Sequence, residues 1–211
     1  MHMTTITFVR HGHVYNPHNF FYGRLPGYPL SDEGRRQAQA AAETLRAESL
    51  AAVYSSPQVR AQQTAQIILA SRPPTLFEIS DLLDEVFTPF DGRPVSEVIA
   101  RDWDLYSHVG PPYEQPIDVL NRILEFTMEA RAKHTGQHVL AVTHGDCIVF
   151  MLLWAAGVPV TPQNKKDLRN WGLPIQHPAP ASITTFVYRT DASDEAPTYT
   201  YAEPLQSLSL A

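Results

Sequence analysis

An α/β fold, a three-layer α/β/α sandwich with a mostly parallel central sheet, is predicted for this chain by three observations. Short apolar runs of β type alternate with stretches of helical periodicity along most of the sequence, the order that right-handed crossovers onto one sheet produce. Two of those runs, far apart, end in the same dipeptide: residues 5–9 lead through Arg10 into His11-Gly12, and residues 139–143 lead into His144-Gly145. Carboxyl ends of strands line the ligand crevice of an open parallel sheet, so these two histidines are expected to meet across one pocket.

The first strand is expected over residues 4–9, and the loop after it, 12–30, is rich in aromatic, Gly and Pro residues and has the length of a functional loop. Ser31 suits the cap of a helix running to about Glu48. Asp32 and Glu33 fill its first turn, where the macrodipole favours acids, and Ala38, Ala41, Ala42 and Leu45 form its apolar stripe. So many alanines predict close packing on the sheet. A second strand over 51–54 leads through Ser55-Ser56 into a helix opened by Pro57 and running to about residue 70, with Arg60 in its first turn. A short strand at 76–79 precedes Asp81-Leu82-Leu83-Asp84-Glu85. Helical signals return near 94–101 and over 116–134, and the strand at 138–143 is followed by an apolar helix over 146–156. Residues 182–188 and 198–201 read as late, antiparallel strands.

The 211 residues suffice for one well-buried domain, and 1–211 is taken as a single domain with a variable cover segment over about 86–120. Hydrophobic residues at 44% and charged residues at 18% fit a soluble globular protein. No apolar run approaches the roughly 18 residues of a membrane span, and Met1 leads into the first strand without the basic and apolar regions of a secretory signal. Cys147, the lone cysteine, excludes an intramolecular disulfide and a thiolate zinc site and points to a cytoplasmic setting. A net charge of −6 with only three lysines argues against a nucleic-acid partner. Neither a membrane nor a nucleic acid is expected as partner; a homo-oligomer is left open.

The chemistry available to these residues is phosphoryl transfer. An imidazole is a competent nucleophile toward phosphorus while one ring nitrogen is unprotonated, and its near-neutral pKa leaves that form available, so His11 is the candidate acceptor. The charge on the peripheral phosphoryl oxygens must be offset, which the planar fork of arginine does in bidentate fashion: Arg10 and Arg60 are placed for it. His144, protonated beside the phosphate, adds a donor. The leaving alkoxide needs a proton from a carboxyl group whose pKa is raised by burial and a nearby anion; Glu85 is the first choice, with Asp84 its neighbour and competitor. The same carboxylate then activates water, and the scheme requires neither metal nor cofactor.

These segments resemble the histidine phosphatase superfamily, the phosphoglycerate mutase-like clan, over most of the first 150 residues. Arg10-His11-Gly12 resembles its signature; Tyr22-Gly23-Arg24 through Pro29-Leu30-Ser31, with Gly34 and Gln37-Ala38, resembles the segment after it. Ser55-Ser56-Pro57 with Arg60-Ala61 and Thr64-Ala65, Leu83-Asp84-Glu85, and His144-Gly145 resemble the later motifs. The resemblance implies a phosphohistidine on His11, with Arg10, Arg60, Asn16 and Gly23 on the phosphate and Glu85 and His144 in catalysis. It differs at His13, where the family has Glu or Gln, and at Asn16, which aligns only with a one-residue shift. Residues 86–120 hold Arg93 and Arg101 but no lysine, which favours a phosphatase acting on a phosphorylated small molecule over a phosphoglycerate mutase. A non-catalytic phospho-ligand-binding module is the alternative from another class.

Two other readings of the residues are weaker. His11, His13 and His18 form a potential metal cluster, but one without a carboxylate partner or a His-Glu-x-x-His helix. Ser55 and Ser56 lack the Gly-x-Ser-x-Gly elbow of a serine hydrolase.

Overall fold

The computed structural model describes residues 3–190, 192 and 194–204. The expected single domain extends beyond these, to residues 1–2, 191, 193 and 205–211, which lie outside the described residues.

Strand β1 (Thr4–Arg10) turns Ile6 and Phe8 to one face of the sheet and Val9 to the other. Ala52 and Tyr54 part from Val53 in β2 (Ala52–Ser55), and Val139 and Ala141 part from Leu140 and Val142 in β4 (His138–Thr143). This period-two division feeds two apolar cores and so requires a layer of helices on each side. On one side α1 (Asp32–Thr44) and α2 (Val59–Leu69) bring Ala41, Ala42, Ala61, Ala65 and Ile68. On the other lie α4 (Pro116–Lys133), with Val119, Ile123 and Phe126, and α5 (Gly145–Ala155), buried over Cys147 to Leu153. A helix apolar all round, like α5, must be enclosed. The short β3 (Leu76–Ile79), α3 (Val95–Ala100), β5 (Ile183–Tyr188) and β6 (Thr198–Ala202) complete the set.

Among the described residues the sheet has six strands in the order β3-β2-β4-β1-β5-β6. Pairings among β1 to β4 are parallel, and β5 runs antiparallel to both β1 and β6, as the late strands were expected to. No helix among the described residues is long and apolar enough to cross a membrane.

Two boundaries differ from expectation, each for a local reason. Helix α1 ends at Thr44 rather than near Glu48 because Arg72 reaches over and donates to the carbonyls of Leu45 and Glu48, closing the chain before another turn can form. Pro57 does not open α2. Ser56 N–H still donates to Val142 O at 2.9 Å, holding that stretch to the sheet, and the helix begins two residues later with Gln58 as its cap. Arg60 stays in the first turn.

Candidate active site

The parallel register sets Arg10 opposite Thr143, so His11 and His144, the next residue of each strand, leave the sheet side by side. His11 N–H extends the ladder by donating to Thr143 O at 3.0 Å, and the two rings stand edge to face with centroids 5.2 Å apart. Gly12 is required by a close approach: a Cβ there would lie 2.4 Å from the carbonyl oxygen of Gly34 in α1. Backbone packed on backbone fixes where His11 points.

Arg60, fully buried, supplies the charge. Its Nε donates toward His11 Nε2 at 3.3 Å, and its Nη2 donates to Gly23 O at 2.7 Å and to Glu85 Oε2 at 3.4 Å. The guanidinium also lies 4.7 Å from the centroid of the Tyr22 ring. Arg60 Nη1 and Arg10 Nε are buried without a hydrogen-bond partner. Each such donor carries a desolvation cost of about 1–3 kcal/mol that an anion would recover. Arg10 itself is aimed by its Nη1, which donates to Pro178 O at 2.6 Å.

Glu85 sits where the chain leaves a 3₁₀ turn over Asp81–Leu83, and its backbone is clamped from three sides. Arg24 Nε and Arg122 Nη2 donate to its carbonyl at 2.7 and 3.3 Å, while its N–H donates to Asp84 Oδ1 at 2.7 Å. Asp84, the competitor for the acid role, is thus committed to structure: Gln58 Nε2 also donates to Oδ1, and Arg24 pairs with Oδ2. The Glu85 carboxylate faces His144 Nδ1 at 3.1 Å. We assign Nδ1–H to that contact, which leaves His144 Nε2, at 2.7 Å, to accept from Ser56 Oγ–H.

Protonation follows from these neighbours. Burial, then Arg60, His144 and Arg10, push the His11 imidazole well below its ordinary value. It is neutral at pH 7, with Nδ1–H donating to Gly12 O at 2.8 Å and the lone pair on Nε2. For Glu85, burial opposes ionisation, but His144, Arg60 and His11 outweigh it and hold the carboxyl well below the usual range. Burial lowers His144 despite the opposing pull of Glu85.

A cavity of about 410 Å³ opens over His11, Tyr22, Gly23 and Glu85. Arg60 and His144 form the layer beneath that floor. Of the residues expected at the site, Arg10, His11, Glu85, Arg60, His144 and Gly23 come together; Gly23, at φ +37°, contributes the carbonyl that holds Arg60. Asn16 does not join them: its side chain closes its own loop, donating to Phe20 O at 2.8 Å and accepting from Phe20 N–H at 3.3 Å. His13 and His18 are exposed, and His13 Nδ1 is 2.8 Å from Ser31 Oγ, so neither makes a cluster with His11.

Sequence reasoning missed the far wall. Asp146, in the first turn of α5, receives Lys165 Nζ at 2.8 Å and Tyr106 Oη–H at 2.5 Å, and His177 Nε2 lies 3.6 Å away. Lys165 and Lys166, adjacent in a chain with three lysines, were the available signal.

His11, Glu85 and His144 present ligand atoms within 4.8 Å of one another and could in principle hold a cation. Arg60 lies 3.3 to 3.4 Å from an atom of each. A second cation there meets a repulsion of about 4 kcal/mol per unit charge at an effective dielectric near 20. The site fits an anion.

Comparison with known proteins shows the family. The family model described as histidine phosphatase superfamily (branch 1) matches residues 6–191. An uncharacterised protein of Mycobacterium tuberculosis is 33% identical over 196 residues, spanning 89% of this chain and 92% of its own length. A metal-independent phosphoserine phosphatase of Arabidopsis thaliana is 30% identical over 161 residues, 69% of this chain and 66% of its own. Among solved structures, a mycobacterial glucosyl-3-phosphoglycerate phosphatase superposes with a TM-score of 0.74 at 23% identity, covering 95% of this chain and 98% of that one, a likeness of fold.

Proposed function

The chain belongs to the histidine phosphatase superfamily, and from that premise we propose that it is a metal-independent phosphomonoester phosphatase working through a phosphohistidine on His11. The observation that carries this reading is the state of His11. The ring is buried and neutral, fixed through Nδ1 on Gly12 O, with its lone pair on a cavity floor beside an arginine donor at 3.3 Å.

The substrate phosphoryl group sits over Nε2, its peripheral oxygens held by Arg60 and by the unpartnered donor of Arg10. Nε2 attacks phosphorus, the P–N bond forms, and the ester P–O bond breaks. The leaving oxygen takes its proton from Glu85. That carboxyl is ionised in the free protein, so the proton arrives with the substrate, whose second ionisation lies near pH 6. The added negative charge in the pocket offsets Arg60 and lets the carboxyl carry the proton until the bond breaks. In the second half, the Glu85 carboxylate accepts a proton from water, whose oxygen attacks phosphorus; the P–N bond breaks and His11 returns to its starting state. His144 positions Glu85 through its Nδ1–H, and the positive charge it gains on taking up a proton favours the anion above it. The expected substrate is a phosphorylated small molecule, and the setting we assign is the cytoplasm, supported by the single cysteine, Cys147, which is buried.

Phosphate release from a panel of phosphomonoesters, with chelator present and beside a His11→Ala control, tests this reading. Chelator-resistant release that disappears in the variant is expected. Undiminished release by His11→Ala, or loss of release on chelation, would refute it.

A further inference from the structure

The cavity lining mixes two chemistries: aromatic and aliphatic side chains, Phe20, Phe21, Trp103 and Leu105, and two lysines. Both lysines are already committed. Lys165 Nζ, buried, is 3.2 and 2.8 Å from the two carboxylate oxygens of Asp146, and Lys166 Nζ is 2.6 Å from Asp102 Oδ2. Glu85 is paired with Arg60 below the floor. Among the described cavity-lining residues this leaves Arg10 as the one cation without a carboxylate partner, and it lies beside the nucleophile. A phosphoryl group uses it up, and nothing positive remains for a second acid on the alcohol half.

The apolar part of the lining has a device of its own. Asp102 and Trp103 are consecutive non-glycine residues in the left-handed region, at φ +53° and +58°. Such residues are strained and persist where surrounding structure holds them, typically at ligand sites. Backbone bonds from Asp102 N to Ile99 O (2.8 Å) and from Trp103 N to Val98 O (3.0 Å), with the Asp102–Lys166 pair, hold the turn. It leaves the Trp103 indole half exposed on the cavity wall, while Leu105 and Tyr106, just beyond it, are buried in the core. An indole kept in water beside a cavity offers a flat apolar face to whatever enters.

We infer that this pocket selects phosphomonoesters whose alcohol half is uncharged and presents an apolar or aromatic face: Trp103 contacts that face, while Asp102 and Asp146 cancel the lysines that would attract a second anion. This rests on the phosphatase reading above and narrows its substrate class.

The test uses matched esters and substitutions at two exposed side chains. The unmodified protein is compared on 4-carbamoylphenyl and 4-carboxyphenyl phosphate, nearly isosteric and differing by one charge, and kcat/KM is expected to favour the uncharged ester. Asp102→Asn, whose new residue also tolerates a left-handed backbone, frees Lys166 and shifts that ratio toward the carboxylated ester by about two- to fivefold, the worth of a solvent-exposed ion pair. Trp103→Ala lowers kcat/KM for phenyl phosphate relative to glycerol phosphate by about three- to tenfold, as loss of an aromatic contact does, and Trp103→Phe restores most of it. Preference of the unmodified protein for the carboxylated ester, or ratios unmoved in both Asp102→Asn and Trp103→Ala, would overturn the inference while leaving the phosphatase reading intact. Absence of His11-dependent hydrolysis of every ester would remove both.

Discussion

Replacing Arg60 with lysine keeps the buried charge and removes the fork. In the parent structure three guanidinium nitrogens do separate work. Nε points at His11 Nε2 (3.3 Å), Nη2 serves Gly23 O and Glu85 Oε2 (2.7 and 3.4 Å), and Nη1 is a buried donor without a partner. A lysine ammonium is one point and cannot serve His11 and Gly23 together. Losing one preorganised donor to the developing charge costs about 2.7–4 kcal/mol of transition-state stabilisation, a fall of about a hundred- to a thousandfold in kcat. Stability suffers less: Gly23 O loses a buried donor, at about 1–3 kcal/mol, and part of the contact with Tyr22 survives because an ammonium also sits over an aromatic face. The assay is steady-state hydrolysis of 4-nitrophenyl phosphate beside urea denaturation, so that activity is counted per folded molecule. A well-folded Arg60→Lys protein with kcat within tenfold of the parent would refute the placement of Arg60 on the transferring group.

Three further outcomes follow from the same geometry. Stability falls as pH drops below neutrality: the folded-state values of His11, His144, His177 and His138 lie below the unfolded 6.5, so the unfolded chain binds protons first as pH passes down through 6.5, and Glu85 extends the loss below 4.5. Among the described residues, Asp91, raised to about 6 by burial, opposes this alone; a urea midpoint that rose from pH 7 to pH 5 would contradict the balance. Gly12→Ala forces a methyl group to 2.4 Å from Gly34 O, and urea denaturation should show a loss of about 1–3 kcal/mol, the cost of overpacking a rigid contact. Asn16→Ala, which breaks only the loop closure to Phe20, should leave kcat/KM within about fivefold, since a hydrogen bond of this kind is worth about 1 kcal/mol; a hundredfold loss would put Asn16 on the phosphate.

Much of this arrangement was legible in the chain because it is local. Apolar alternation marks the strands, and a strand that ends in His-Gly states where its histidine will stand; Arg60 follows from its place in the first turn of the next helix. What was not legible is made by contacts distant in sequence. The early end of α1 depends on Arg72, more than twenty residues on. Tyr22 reads as one aromatic in a loop until Arg60 is laid against its ring. Asp146 follows His144-Gly145 directly, but Lys165 and His177 reach it from loops whose sequence has no periodicity. The expected protonation of Glu85 also differs. Burial predicts a raised carboxyl pKa, whereas in the folded protein the charges around it reverse the sign.

Rapid quenching of the enzyme mixed with a phosphate-labelled ester, in alkali and with chelator present, followed by peptide mapping, tests the central claim most directly. The account predicts an acid-labile, alkali-stable label on His11 that forms and decays at rates sufficient for turnover and is absent from His11→Ala. Turnover without a label on His11, or a label on another residue, would contradict it.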